Sequence, residues 1–117
     1  MAKFLTNLQQ EEVNNKGKLK RLTAPLIYQS DLVGTITVPI GFEHDGESIE
    51  RLPVVYTVFK GTAIKPAVIH DYLYETKLVS RKTADAVFLE AMKTIDVAWW
   101  RRNMMYAAVR LFGGWLY

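Results

Sequence analysis

The chain carries two histidines. One of them opens the run His70-Asp71-Tyr72-Leu73-Tyr74, followed fifteen residues after the histidine by Asp85 and then by Phe88. Histidine is the side chain most readily used as a proton acceptor near neutral pH. A carboxylate brought up behind it fixes its tautomer and orientation, the arrangement that general-base catalysis requires. Asp71, beside the histidine, and Asp45, in the stretch Gly41-Phe42-Glu43-His44-Asp45-Gly46, add two carboxylates and the carbonyls of a glycine-bearing loop. Those are hard oxygen ligands of the kind calcium takes. His44, Asp45, His70 and Asp71 could instead hold a transition metal, but their spacing matches no recognised ligand pattern. Calcium ranks above zinc, and a site without metal is the third reading. The candidate catalytic set is His70, Asp85 and Tyr74; the candidate metal ligands are Asp71 and Asp45.

Helices must position these groups. Pro66 suits a first helical turn, and Ala67 to Tyr74 follows without a breaker. Ser80 is suited to cap a second helix over 81–95, where Ala84, Val87, Phe88, Ala91 and Met92 recur at helical spacing. The short connection Lys77-Leu78-Val79-Ser80 makes the two helices antiparallel neighbours. Counting back equally from that turn sets His70 opposite Asp85, and Tyr74, four residues on from His70, shares its face. A hydrogen bond between His70 and Asp85 is expected, with the Tyr74 hydroxyl able to join. Asp85 interrupts the apolar stripe of its helix, where a carboxylate is costly unless paired. The plainer alternative is a satisfied polar pair that ties two helices together, as ordinary cores often contain.

The first half reads as strands and turns. Lys3 to Leu8 is a short apolar-polar stretch, and Asn14-Asn15-Lys16-Gly17 is a strong turn signal. Leu19 to Gln29, with Pro25 inside it, reads as an edge or bulged strand. Asp31 to Gly34 turns the chain into the β-branched run Thr35-Ile36-Thr37-Val38. Gly41 to Gly46 reads as a loop, and Leu52 to Thr62 fits either a strand or two turns of helix. Asp96 is placed to cap a third helix running through Phe112 and closed by Gly113-Gly114. The expected class is α+β: a small N-terminal antiparallel sheet followed by about three helices, as one domain over 1–117. Strands and loops occupy 1–62, and helices occupy 63–117.

Composition narrows the function classes. At 117 residues the chain supports one core. It has no cysteine, which excludes disulfides and thiolate metal sites. No signal peptide is evident at the start, and no apolar run approaches a membrane span. The net charge of +3 is too small to argue for nucleic acid. After Asp96 the chain holds three arginines, all three tryptophans and no acidic residue. A basic aromatic surface of that kind could meet anionic lipid or another protein. A buried helix with its arginines on the wet side is the favoured reading of the helical pattern.

Two resemblances rest on these residues. The blocks Val38-Pro39-Ile40-Gly41-Phe42, Asp45-Gly46-Glu47-Ser48-Ile49, Ile69-His70-Asp71-Tyr72-Leu73-Tyr74, Ala84-Asp85-Ala86-Val87-Phe88 and Tyr106 through Gly113 come in one order. That order resembles a small phage and prophage family of unassigned function, domain-of-unknown-function family 1353. The chain departs from it at Glu50, where a proline is usual. Locally, His70-Asp71-x-x-Tyr74 with Asp85-x-x-Phe88 is similar to the active-site helices of secretory phospholipase A-two, particularly its small bacterial forms. This resemblance implies His70 as the base that activates water, Asp71 as a calcium ligand and Asp85 as the residue orienting His70, with Asp45 as a further ligand. The disulfides and the glycine-rich calcium loop of those enzymes are absent. Ser48 is the only serine in its loop and reads as a turn or cap hydroxyl rather than a nucleophile.

Two functions are therefore expected as rivals. One is a phage-encoded, calcium-assisted ester hydrolase of phospholipase type, acting in lysis or envelope penetration on phospholipid. The other is a non-enzymatic tail, virion or assembly component that meets other virion proteins or itself through a structural His-Asp pair. A nucleic-acid partner is not expected. Synthesis in the host cytoplasm, with or without later incorporation into a virion, fits either.

Overall fold

A computed structural model of the chain describes residues 1–13, 19–44 and 63–112. Period-two alternation builds the first part. In β4 (Leu26–Ser30), Leu26, Tyr28 and Ser30 point inward, and in β5 (Gly34–Val38) so do Ile36 and Val38. The two strands pair antiparallel from Leu26 opposite Val38 to Ser30 opposite Gly34. Their turn is closed by the Ser30 hydroxyl, which accepts from the Leu32 and Val33 amides at 3.0 and 3.3 Å. Gly34 takes a left-handed φ of 85°, which a side chain would oppose. A short β1 (Lys3–Phe4) joins the free side of β4, giving the sheet order β1-β4-β5.

A second sheet has the order β2-β3-β6, from β2 (Gln10–Glu12), β3 (Lys20–Leu22) and β6 (Glu43–His44). The fold is α+β as expected, but with two small antiparallel sheets in place of one. The stretch from Leu19 to Gln29 is not one strand: it breaks at Thr23–Pro25, and its halves enter different sheets. Pro25 has no amide to give a ladder, so a change of sheet there satisfies the same constraint as an edge strand. The loop expected over Gly41 to Gly46 contributes β6 at Glu43–His44. The turn at Asn14-Asn15-Lys16-Gly17, the ambiguous stretch Leu52 to Thr62, and Gly113-Gly114 lie outside the described residues.

Three helices follow among the described residues: α1 (Ile64–Thr76), α2 (Arg81–Thr94) and α3 (Trp99–Phe112). Helix α1 ends at Lys77, whose left-handed backbone (φ 54°) lets its amide donate to the Leu73 carbonyl at 2.9 Å. Ser80 caps α2 as its sequence suggests, accepting from the Thr83 amide at 3.2 Å. Asp96 does not cap α3. It sits at φ 59° in the turn closing α2, and the third helix begins at Trp99.

Helix α2 is the centre of the packing. Ala84, Val87 and Ala91 join Val68, Ile69, Leu73 and Tyr74 of α1 and Leu22, Leu26, Tyr28, Ile36 and Val38 of the sheets. Phe88 and Met92 turn the other way, onto Ala63, Ala67, Val97, Met105, Ala108 and Val109. Truncating a fully buried aromatic such as Phe88 to alanine costs about 3–5 kcal/mol. No helix among the described residues is long and apolar enough to cross a membrane.

Candidate functional site

The short α1–α2 link brings His70 and Asp85 face to face. His70 Nε2 lies 2.7 Å from Asp85 Oδ1, and the Tyr74 hydroxyl donates to the same oxygen. The expected inter-helix pair and the joining tyrosine are thus both present in the geometry. His70 is 3% exposed and Asp85 0%. The imidazole is packed between rings, with centroids 4.1 Å from Tyr74 and 4.7 Å from Phe88. That packing holds the ring in the orientation the carboxylate sets.

Sequence reasoning missed the third donor. Arg110, in the last turn of α3, places Nη1 2.7 Å from Asp85 Oδ2. The carboxylate therefore receives donors from three side chains on two neighbouring helices. Arg81, at the start of α2, donates through Nη2 to the Val109 carbonyl at 2.8 Å and also to the Arg110 carbonyl. It thereby satisfies the end of α3 and fixes the turn that carries Arg110. Arg110 occurs in a block singled out for its family resemblance, but no periodicity within α3 indicates which residue of another helix it meets.

These contacts determine the charges. Burial alone pushes the Asp85 carboxyl upward, but the donors of His70, Tyr74 and Arg110 outweigh it and hold the group below the usual aspartate value. Burial lowers the His70 pKa, an effect that the hydrogen bond and charge of Asp85 only partly offset. Burial and then Asp85 raise the Tyr74 hydroxyl, and the Asp85 hydrogen bond raises Arg110. At neutral pH the resulting state is ionised Asp85, cationic Arg110 and neutral His70. An ionised carboxylate only accepts, so Nε2 carries the imidazole proton and Nδ1 carries the lone pair. This is an oriented neutral base.

The proposed metal ligands are a different matter. Asp71 is half-buried beside His70, whereas Asp45 lies outside the described residues. Among the described residues no group of three or more histidine, cysteine, aspartate or glutamate side chains could hold a metal ion. His44 is on β6, where its Nε2 meets Gln10 Oε1 at 2.8 Å, in the second sheet.

A family model described as "Protein of unknown function (DUF1353)" matches residues 20–109, which include every member of the His70–Asp85–Tyr74 set but not Arg110. The chain is 35% identical over 78 residues to "Uncharacterized protein y4jT" of Sinorhizobium fredii. That match covers 65% of this chain and 23% of the relative, so the chain corresponds to about a quarter of the longer protein. No solved structure matches the chain.

Proposed function

This chain belongs to the DUF1353 family of unknown function, and we propose that it is a small ester hydrolase of phospholipase type in which His70 is the general base. The observation that supports this reading is the geometry around the imidazole, in which His70 Nε2 meets a carboxylate that Tyr74 and Arg110 also contact. Nε2 is committed to a buried, ionised carboxylate that two other donors hold in place, and Nδ1 is left as the basic nitrogen. Nδ1 takes a proton from water as the water oxygen bonds to an ester carbonyl carbon. The tetrahedral adduct then collapses, the bond to the alkoxy oxygen breaks, and the imidazolium returns its proton to that leaving oxygen. Asp85 stabilises the transient imidazolium. Tyr74 and Arg110 keep Asp85 ionised and in place; they are positioning residues.

Calcium belongs to the proposal as a testable addition, with Asp71 and Asp45 as the carboxylates offered to it. No step above runs through a metal. The setting of phage lysis or envelope penetration, with phospholipid as substrate, rests on the sequence resemblances.

A second reading is favoured by a specific observation, the 3% exposure of His70 between two aromatic rings. On that reading the same contacts are a structural tie between helices in a non-enzymatic virion or assembly protein. One experiment separates the two: fatty-acid release from mixed phospholipid vesicles, followed by mass spectrometry with calcium or chelator, for wild type and His70→Ala. Release that requires His70 supports the hydrolase, and a chelator-sensitive release supports the metal. A folded wild-type protein that releases nothing under either condition leaves the structural tie.

A further inference from the structure

Arg110 is the least protected member of the cluster around Asp85. Its side chain is 33% exposed, against 3% for His70 and 0% for Asp85. It also stands in the last turn of α3. The last turn of a helix leaves its final carbonyls without intrahelical amides and opens more readily than the helix centre. A lasting 2.7 Å contact between Arg110 Nη1 and Asp85 Oδ2 therefore needs the turn itself to be held.

Arg81 supplies that hold. It is the first residue of α2, directly after the Ser80 cap, where the positive end of the helix dipole opposes a cation. Its guanidinium reaches a different helix instead. Nη2 donates to the Val109 carbonyl at 2.8 Å and to the Arg110 carbonyl, both at the negative end of the α3 dipole. One of these acceptors belongs to Arg110 itself, so the backbone that Arg81 fixes is the one from which the Arg110 side chain departs. Burial is the largest influence on Tyr74 and on His70, but the charge of Arg81 is felt at both. Arg81 thus stands within reach of the cluster as well as of the helix end.

We infer that Arg81 is a positioning residue of the His70 site at one remove: by clamping the last turn of α3 it keeps Arg110 on Asp85, and so keeps Asp85 oriented toward His70. The clamp is independent of the hydrolase reading, whereas its effect on rate rests on that reading. The alternative is a plain helix cap, which stabilises α3 with no bearing on the contact between Arg110 and Asp85.

The test is the guanidinium N–H spectrum of Arg110 in full chain carrying isotope-labelled arginine, assigned with Arg110→Lys and read alongside ester release. A guanidinium held on a carboxylate gives separate Nη signals, and a free one gives a single averaged signal. Separate signals are expected in the wild type. Arg81→Met is expected to average them while the circular dichroism spectrum stays that of the folded protein. Arg81→Lys, which keeps the charge and the donors, restores them in part. On the hydrolase reading Arg81→Met also lowers kcat by about tenfold with KM unchanged. That loss disappears in an Arg110→Met background, where a residue acting through Arg110 has nothing left to act on. Should Arg81→Met not fold, Arg81→Gln carries the same measurements. Averaged signals already present in the wild type overturn the inference, as do separate signals that persist in folded Arg81→Met. A kcat loss of equal size with and without Arg110 also overturns it and leaves a helix cap. Signals that depend on Arg81 in a protein that releases no fatty acid uphold the clamp and remove the hydrolase reading.

Discussion

Helix α2 carries two carboxylates that reach across to a tyrosine, and they are not equivalent. Glu90 accepts the Tyr28 hydroxyl on Oε1 at 2.7 Å and the Asp31 amide on Oε2 at 3.1 Å. Asp85 accepts the Tyr74 hydroxyl and His70 on one oxygen and Arg110 on the other. The Glu90 partners are a phenol pushed upward by burial and a backbone amide, neither of which exchanges a proton near neutral pH. Among the described residues, Glu90 therefore acts as a tie between helix α2 and the β4–β5 hairpin. Asp85 has the same kind of tyrosine contact, plus a titratable ring and a permanent cation. The difference separates a tie from a site: partner satisfaction alone is found at both, but proton transfer is chemically available only at Asp85.

The comparison breaks most visibly on activity. On the proposed hydrolase reading, loss of a positioned general base costs roughly 10²–10⁴ in rate, so His70→Ala is expected to abolish measurable ester release while Glu90→Gln is expected to leave it unchanged. Asp85→Asn tests the orientation directly. An amide can turn its NH₂ toward Nε2, which places the imidazole proton on Nδ1 and removes the base without opening a cavity. Activity at the wild-type level in Asp85→Asn would dismiss Nδ1 as the working nitrogen.

On stability the next effect is Asp85→Ala, expected to lower the unfolding free energy in urea titration by about 1–3 kcal/mol for each of two buried donors, the His70 N–H and the Tyr74 hydroxyl, that lose their acceptor. Arg110→Met leaves Asp85 buried with one oxygen unanswered, at a cost of about 1–3 kcal/mol. Arg110→Lys recovers part of that loss. A stability equal to wild type in Arg110→Met would show that Arg110 is a surface ion pair of little consequence.

Much of this site is legible in the sequence, for identifiable reasons. A four-residue link between helices fixes which faces meet, so the His70–Asp85 juxtaposition follows from counting. The Ser80 cap has a local cause and is equally readable. Arg110 was not readable as a partner of Asp85, because its contact depends on how α3 crosses α2, which no periodicity encodes. The division into two sheets was hidden for a related reason. Pro25 forbids a central ladder position, and both an edge strand and a change of sheet obey that rule. The tie at Glu90 is not readable from the sequence because its partners, Tyr28 and Asp31, lie some sixty residues away.

Acid should separate the two carboxylates further. The His70 pKa is lowered from its ordinary value of 6.5, so below that pH the unfolded chain binds a proton that the native state refuses. Asp85 is also lowered, so at more acidic pH the unfolded chain again binds the extra proton. With more protons on the unfolded state, stability rises with pH. It should therefore fall as pH drops below 6.5, and fall again below about 4 as the Asp85 contribution is lost. In His70→Ala the first decline disappears and the second remains. A urea midpoint flat from pH 7 to 5 in the wild type would contradict the neutral, buried imidazole.

The smallest effect is expected at Glu90→Gln. The amide carbonyl still accepts from Tyr28, and the Asp31 amide, on an exposed turn residue, turns to water. The cost is about 1 kcal/mol or less, since a single hydrogen bond is exchanged for hydration and no buried charge is stranded. Its dependence on pH between 7 and 5 should match that of the wild type, because the group responsible sits at the other carboxylate. If Glu90→Gln instead cost as much as Asp85→Ala, charge at the sheet contact would matter as much as charge at the His70 contact. The distinction between a tie and a site would then rest on the imidazole alone.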